Sequence, residues 1–126
     1  MKTKIIEMMD QLNDLPNQIS TLQLNLIDLN LTLKSLNSNL VDVTAEIKET
    51  IHNQLDDNGK KLYSNGESRE NAFILESKSN PEYCELTQKI LELTIQIQKI
   101  TIEIEKLQNQ QRNYRILITQ LANFPD

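Results

Sequence analysis

The sequence predicts an all-α fold: a long antiparallel helical hairpin of the coiled-coil kind, with a turn and a short helix between its long helices. Three observations predict it. From Tyr83 to Leu121, apolar residues recur at steps of three and four. The N-terminal half carries the same spacing in its own phase. The chain has 2 glycines and 3 prolines in 126 residues, no tryptophan and 4% aromatics. Breakers are therefore scarce, and a globular α/β core of this size would normally hold more aromatic mass. A seam of Leu and Ile needs none. The length suits a single domain over 1–126.

The first half places Ile5, Leu12, Ile19, Leu26, Leu33, Leu40 and Ile47 at heptad position a. Met8, Leu15, Leu22, Leu29, Leu36, Val43 and Thr50 fall at d. Pro16 interrupts this pattern. Proline removes a helix hydrogen bond and clashes with the preceding turn, yet it is tolerated in a first turn. The expectation is a short helix over 3–13 and a long one over 15–53, with Asp14 as N-cap. A single kinked helix is the alternative.

The connection spans 54–80. Asp57-Asn58-Gly59-Lys60 is a turn signal, because Asn-Gly accepts positive φ. It allows a small β-hairpin with Leu62 and Tyr63 on the return arm. Ser64-Asn65-Gly66-Glu67 fits a capping box, Ser64 with Glu67. It predicts a short helix over 65–78 that buries Ala72 and Phe73, with Leu75 or Leu62 beside them. Ser79-Asn80-Pro81-Glu82 repeats the pattern and sets proline just inside the next helix.

The last helix is expected over 81–122. Tyr83, Ile90, Ile97, Ile104, Gln111 and Ile118 fall at a; Leu86, Leu93, Ile100, Leu107, Tyr114 and Leu121 fall at d. Leu93 to Glu105 also alternates like a strand and is rich in β-branched residues. Helix is preferred there, because the heptad holds its phase on both sides and no turn residue breaks the run. At 1.5 Å per residue the two long helices reach on the order of 55 and 60 Å, lengths that match. Gln111 and Tyr114 are polar breaks in the seam, expected opposite Leu22 and Leu26. A buried polar a position can set register at a cost in stability.

A second, narrower apolar row occupies b and f positions. It holds Leu24, Ile27, Leu31 and Val41 on the first long helix, and Leu91, Ile95, Ile102 and Ile116 on the last. A helix that is apolar on two sides is usually buried on two sides. Each such side chain contributes about 1.5–3 kcal/mol when covered. The expectation is a homo-oligomer, most simply a two-fold dimer forming a four-helix bundle, or a tetramer. In the alternative, the short helices fold back over these faces in a monomer.

Chemistry is sparse. Glu49-Thr50-Ile51-His52 has the Glu-x-x-His spacing of di-iron bundles, but c and f positions turn it from the seam. A solvated histidine near a helix C-terminus is the simpler reading. Asp56 to Glu67 has the length of a calcium loop, yet Lys60 and Lys61 stand where an oxygen ligand and a glycine are required. Cys84 has no histidine to activate it. Tyr63, Tyr83 and Tyr114 read as packing residues. No catalytic residue, metal or cofactor is expected, and the protein reads as no enzyme.

Net charge is −5 with a pI near 4.9. Nucleic-acid binders usually carry a basic stripe. Here the one basic pair beyond the N-terminus is Lys60-Lys61, so direct nucleic-acid binding is not expected. One cysteine fits a reducing compartment, and no apolar run approaches a bilayer span. The first residues lack the apolar core of a signal peptide, since Glu7 and Asp10 interrupt it. A cytoplasmic protein with no membrane contact is expected.

The run Asp57-Asn58-Gly59-Lys60-Lys61-Leu62-Tyr63-Ser64-Asn65, followed by Arg69-Glu70 and Asn80-Pro81-Glu82-Tyr83, resembles small uncharacterised helical-hairpin proteins of phages and bacteria. That resemblance covers roughly 55–115 and implies no chemistry. The plan is also similar to prefoldin, two coiled-coil helices joined by a small hairpin, although the long strands of its barrel are missing. These readings imply a self-associating coiled-coil protein that works through a protein partner. Two alternatives stand beside it. One is a prefoldin-like holdase gripping clients near Met8 and Met9. The other is an accessory factor in nucleic-acid metabolism that acts through a protein partner.

Overall fold

The computed structural model describes residues 2–123, and within them the chain is all-helical. The helices are α1 (Lys2–Asn53), α2 (Gly66–Ser79) and α3 (Pro81–Asn123). The packing falls into two compact units. Among the described residues, 2–30 and 95–123 form one, and 31–94 form the other.

In the first unit, Leu15 and Ile19 of α1 are buried with Ile104 and Leu107 of α3. Leu22, Leu26, Ile100 and Tyr114 pack against them. These are heptad a and d residues. Their burial explains the largest departure from expectation at the N-terminus. The helices expected over 3–13 and from 15 onward are one helix that continues through Pro16, the single-helix alternative. Proline in a helix interior costs about 3 kcal/mol. Here its neighbour Leu15 is only 3% exposed and Ile19 only 8%. Ending the helix at Asn13 would carry both out of phase, so packing overrides the local preference. Asp14 is correspondingly no cap. Its Oδ2 accepts from Gln18 Nε2 at 2.6 Å, one helical turn on. Tyr114 lines a shallow cleft with Gln11, Asp14, Leu15 and Gln18, before Leu22 and Leu26 on α1 rather than opposite them. Its hydroxyl accepts from Gln110 Nε2 at 2.9 Å.

In the second unit, Val43, Ile47 and Ile51 of α1 are buried with Ala72 of α2 and Leu86 of α3. Phe73 and Tyr83 meet edge to face, centroids 6.0 Å apart. Ala72 and Phe73 pack as expected, but Leu75 is 70% exposed and Leu62 45%. Both lie beyond the reach of a core that Tyr63 and Phe73 close. The turn at 56–60 forms, and Gly59 takes φ 77°. Asp56 Oδ1 accepts from the amides of Asn58 (2.9 Å) and Lys60 (3.0 Å). Its arms share one antiparallel bridge, Leu55 with Lys61, and no strand forms among the described residues. A two-stranded ribbon needs an apolar face against another layer; the side chains of Leu55 and Leu62 are both exposed.

The cap of α2 sits one residue later than expected. Asn65, not Ser64, caps: its side chain accepts from Ser68 N at 2.7 Å, and Ser68 Oγ accepts from Asn65 N at 3.3 Å. Asn is at least as good a cap as Ser, and Ser68 replaces Glu67 as the reciprocal partner. At α3, Asn80 Oδ1 accepts from Tyr83 N at 2.9 Å, with Pro81 as the first helical residue. The alternating run from Leu93 to Glu105 is helix throughout. Thr94 and Thr101 direct their hydroxyls to the carbonyls of Ile90 (2.7 Å) and Ile97 (2.8 Å), which satisfies them inside the helix.

Candidate functional site

Two apolar rows run along the long helices, and the chain covers one of them. Apart from Thr50, every a and d residue within the described range is buried or half-buried. All eight residues of the b and f row are exposed, from 43% at Ile95 to 66% at Val41. In the first unit these are Leu24 and Ile27 on α1, and Ile95, Ile102 and Ile116 on α3. In the second they are Leu31, Val41 and Leu91. The fold-back alternative has no means to cover them. No separate N-terminal helix exists, and α2 directs Ala72 and Phe73 to its own core.

The row's surroundings favour desolvation. Between Asn17 and Val41 the charged residues are Asp28 and Lys34; the rest are apolar or carry hydroxyls and amides. Depletion of charge is the compositional mark of the buried centre of an interface. Further apolar side chains stand exposed that the sequence reading left out. Ile6 (59%) lies at a b position of the same heptad count, so that count could have found it. Leu117 (40%), at a g position, stands beside Ile116; Met9 (47%), which the holdase reading did name, is exposed near the start of α1. Leu55 and Ile74 are exposed off both rows, and no periodic signal marks them.

The reactive residue types are dispersed. Glu49 and His52 are both exposed near the end of α1. No group of three or more His, Cys, Asp or Glu side chains converges among the described residues. Asp56 is engaged by the turn amides. Cys84 is exposed and directs its thiol to the carbonyls of Ser77 (3.4 Å) and Lys78 (3.3 Å), joining the end of α2 to the start of α3. Tyr63 and Tyr83 pack on the core of the second unit and Tyr114 on that of the first. Among the described residues no helix is long and apolar enough to cross a membrane. No protein-family model, curated protein or solved structure matches this chain.

Proposed function

We propose that this chain is a non-enzymatic, self-associating coiled-coil protein that acts by binding another protein. In this reading α1 and α3 pair as an antiparallel hairpin through the a and d seam. Two hairpins then join through the b and f row as a four-helix bundle. The exposure of all eight row residues carries the proposal. A stable interface needs about 800 Å² from each partner, and eight aliphatic side chains at 43–66% exposure supply a large share of that. Self-association leaves the 53–82 connection and the helix ends for a partner. The scatter of reactive groups supports a role without catalysis.

The test is solution mass by light scattering across a concentration series. A dimer or tetramer is expected. The double variant Leu31→Asn/Ile95→Asn is expected to be a monomer of unchanged helicity. A wild-type monomer at all concentrations would overturn the proposal.

Exposed Ile6 and Met9 near the start of α1 favour one second reading, a prefoldin-like holdase. Adaptable Met side chains suit varied clients. It predicts suppressed aggregation of a denatured model protein, lost in Ile6→Asn/Met9→Asn. No suppression by the wild type would remove it.

A further inference from the structure

A cleft in the second unit lies apart from both apolar rows. The end of α1 contributes Lys48, Ile51 and His52, and the first turns of α2 contribute Arg69, Glu70 and Phe73, around a volume of about 320 Å³. That is at the lower end of the size of small-molecule sites. Its composition runs against the chain. The protein has 18 acidic and 13 basic residues, yet two permanent cations and a histidine converge here against one carboxylate.

Arg69 and His52 are not used by the fold, whereas Lys48 is held over the Phe73 ring. Among the described residues, neither the half-buried Arg69 guanidinium nor the His52 imidazole has a side-chain hydrogen-bond or ion-pair partner. Lys48 Nζ stands 5.0 Å above the centre of the Phe73 ring and forms no ion pair. A guanidinium offers five donors in a planar fork that matches an oxyanion two bonds at a time. The remaining wall is the half-buried Phe73, with the buried Ile51 behind it. Gly66 completes the lining, and a Cβ placed there would meet nothing within 4 Å, so the opening is clear on that side.

We propose that this cleft binds a small organic oxyanion carried on an aromatic group, of the aryl phosphate type. Arg69 takes two oxygens of the anion and Lys48 supplies a second positive charge. The ring lies against Phe73, with Lys48 Nζ leaving that face to meet the anion. Glu70 opposes the anion and holds affinity down. Lys48 and His52 occupy b and f positions beyond Val41, but none of the eight apolar row residues lines the cleft, so binding is expected to be the same in Leu31→Asn/Ile95→Asn as in the wild type.

The test is a titration of the full chain with phenyl phosphate, followed by the amide NMR shifts of Gly66 and Arg69. Saturable shifts are expected. Arg69→Ala should weaken binding about tenfold or more, the usual effect of losing bonds to a charged group. Glu70→Gln should tighten it by about twofold to fivefold. Arg115→Ala, which removes a distant charge, should leave it unchanged. Inorganic phosphate should bind several-fold more weakly than phenyl phosphate. Absence of saturation, equal binding of the two phosphates, or equal losses in Arg69→Ala and Arg115→Ala would overturn the proposal. Circular dichroism of Arg69→Ala separates lost binding from lost fold.

Discussion

The covered row and the uncovered row are built from the same side chains, and they differ in what they can do. Leu15, Ile104 and Leu93 on the seam are 3–9% exposed; Leu24, Leu31 and Ile102 on the other row exceed 60%. Leucine and isoleucine do not by themselves choose between core and surface. Heptad position does, because within each unit α1 and α3 bury a and d residues against each other and leave b and f exposed. The seam therefore holds the chain's own fold, while the second row is free to hold something else. Free energy stored in the first is intramolecular. Free energy available to the second depends on protein concentration.

The largest expected effect breaks the seam. Leu15→Ala removes a seam side chain that is 3% exposed, in the core of the first unit. It should cost about 2–5 kcal/mol, read as a shift of the urea midpoint. The matched change on the other row, Leu31→Ala, should cost less than about 0.5 kcal/mol when measured on the monomer at low concentration. Equal losses would mean that the two rows are not distinct.

Pro16→Ala sharpens the same comparison from the opposite direction. If seam packing alone carries α1 through the proline, removing it should raise stability by up to about 3 kcal/mol. No gain would mean that the local helix has already relaxed around the ring. A smaller effect is expected at a site that belongs to neither row. Asn65→Ala deletes the α2 cap and should cost about 1 kcal/mol. A thermal melt that leaves the long helices intact while α2 amides exchange faster would localise that loss. The smallest effect is expected at Gln111, a half-buried polar residue in the seam. Gln111→Leu should stabilise by at most about 1 kcal/mol, the usual scale of a repaired polar break. Thermal melting checks it, and no change would mean that its amide is already satisfied by water.

Much of the fold was legible in the residues, and the reasons are local. The heptad of α3 held its phase through Leu93–Glu105, where β-branched alternation argued for strands, because period and the absence of turn residues outweigh propensity. Gly59 and Pro81 announced their positions through φ requirements that few other residues meet as readily. The misreadings share one cause. Pro16, the cap at Asn65 and the unformed hairpin each turned on competition between a local preference and a neighbour. Ser64 and Asn65 are both good caps, each with a reciprocal partner three residues on, so the local sequence left the choice open. The basic cleft was invisible because Arg69 comes from a different helix than the i,i+4 pair Lys48 and His52, and no sequence spacing links the two.

By itself, the sequence determined that the chain is helical, where α3 begins, and that each long helix carries two apolar rows. These follow from periodicity, φ restriction and capping, which act within a turn or two of the backbone. Only the tertiary structure decided that α1 continues through Pro16, that Leu75 and Leu62 stay outside, and that the b and f row has no cover from its own chain. Those outcomes depend on how much apolar surface distant segments bury against one another, a quantity that no local stretch contains.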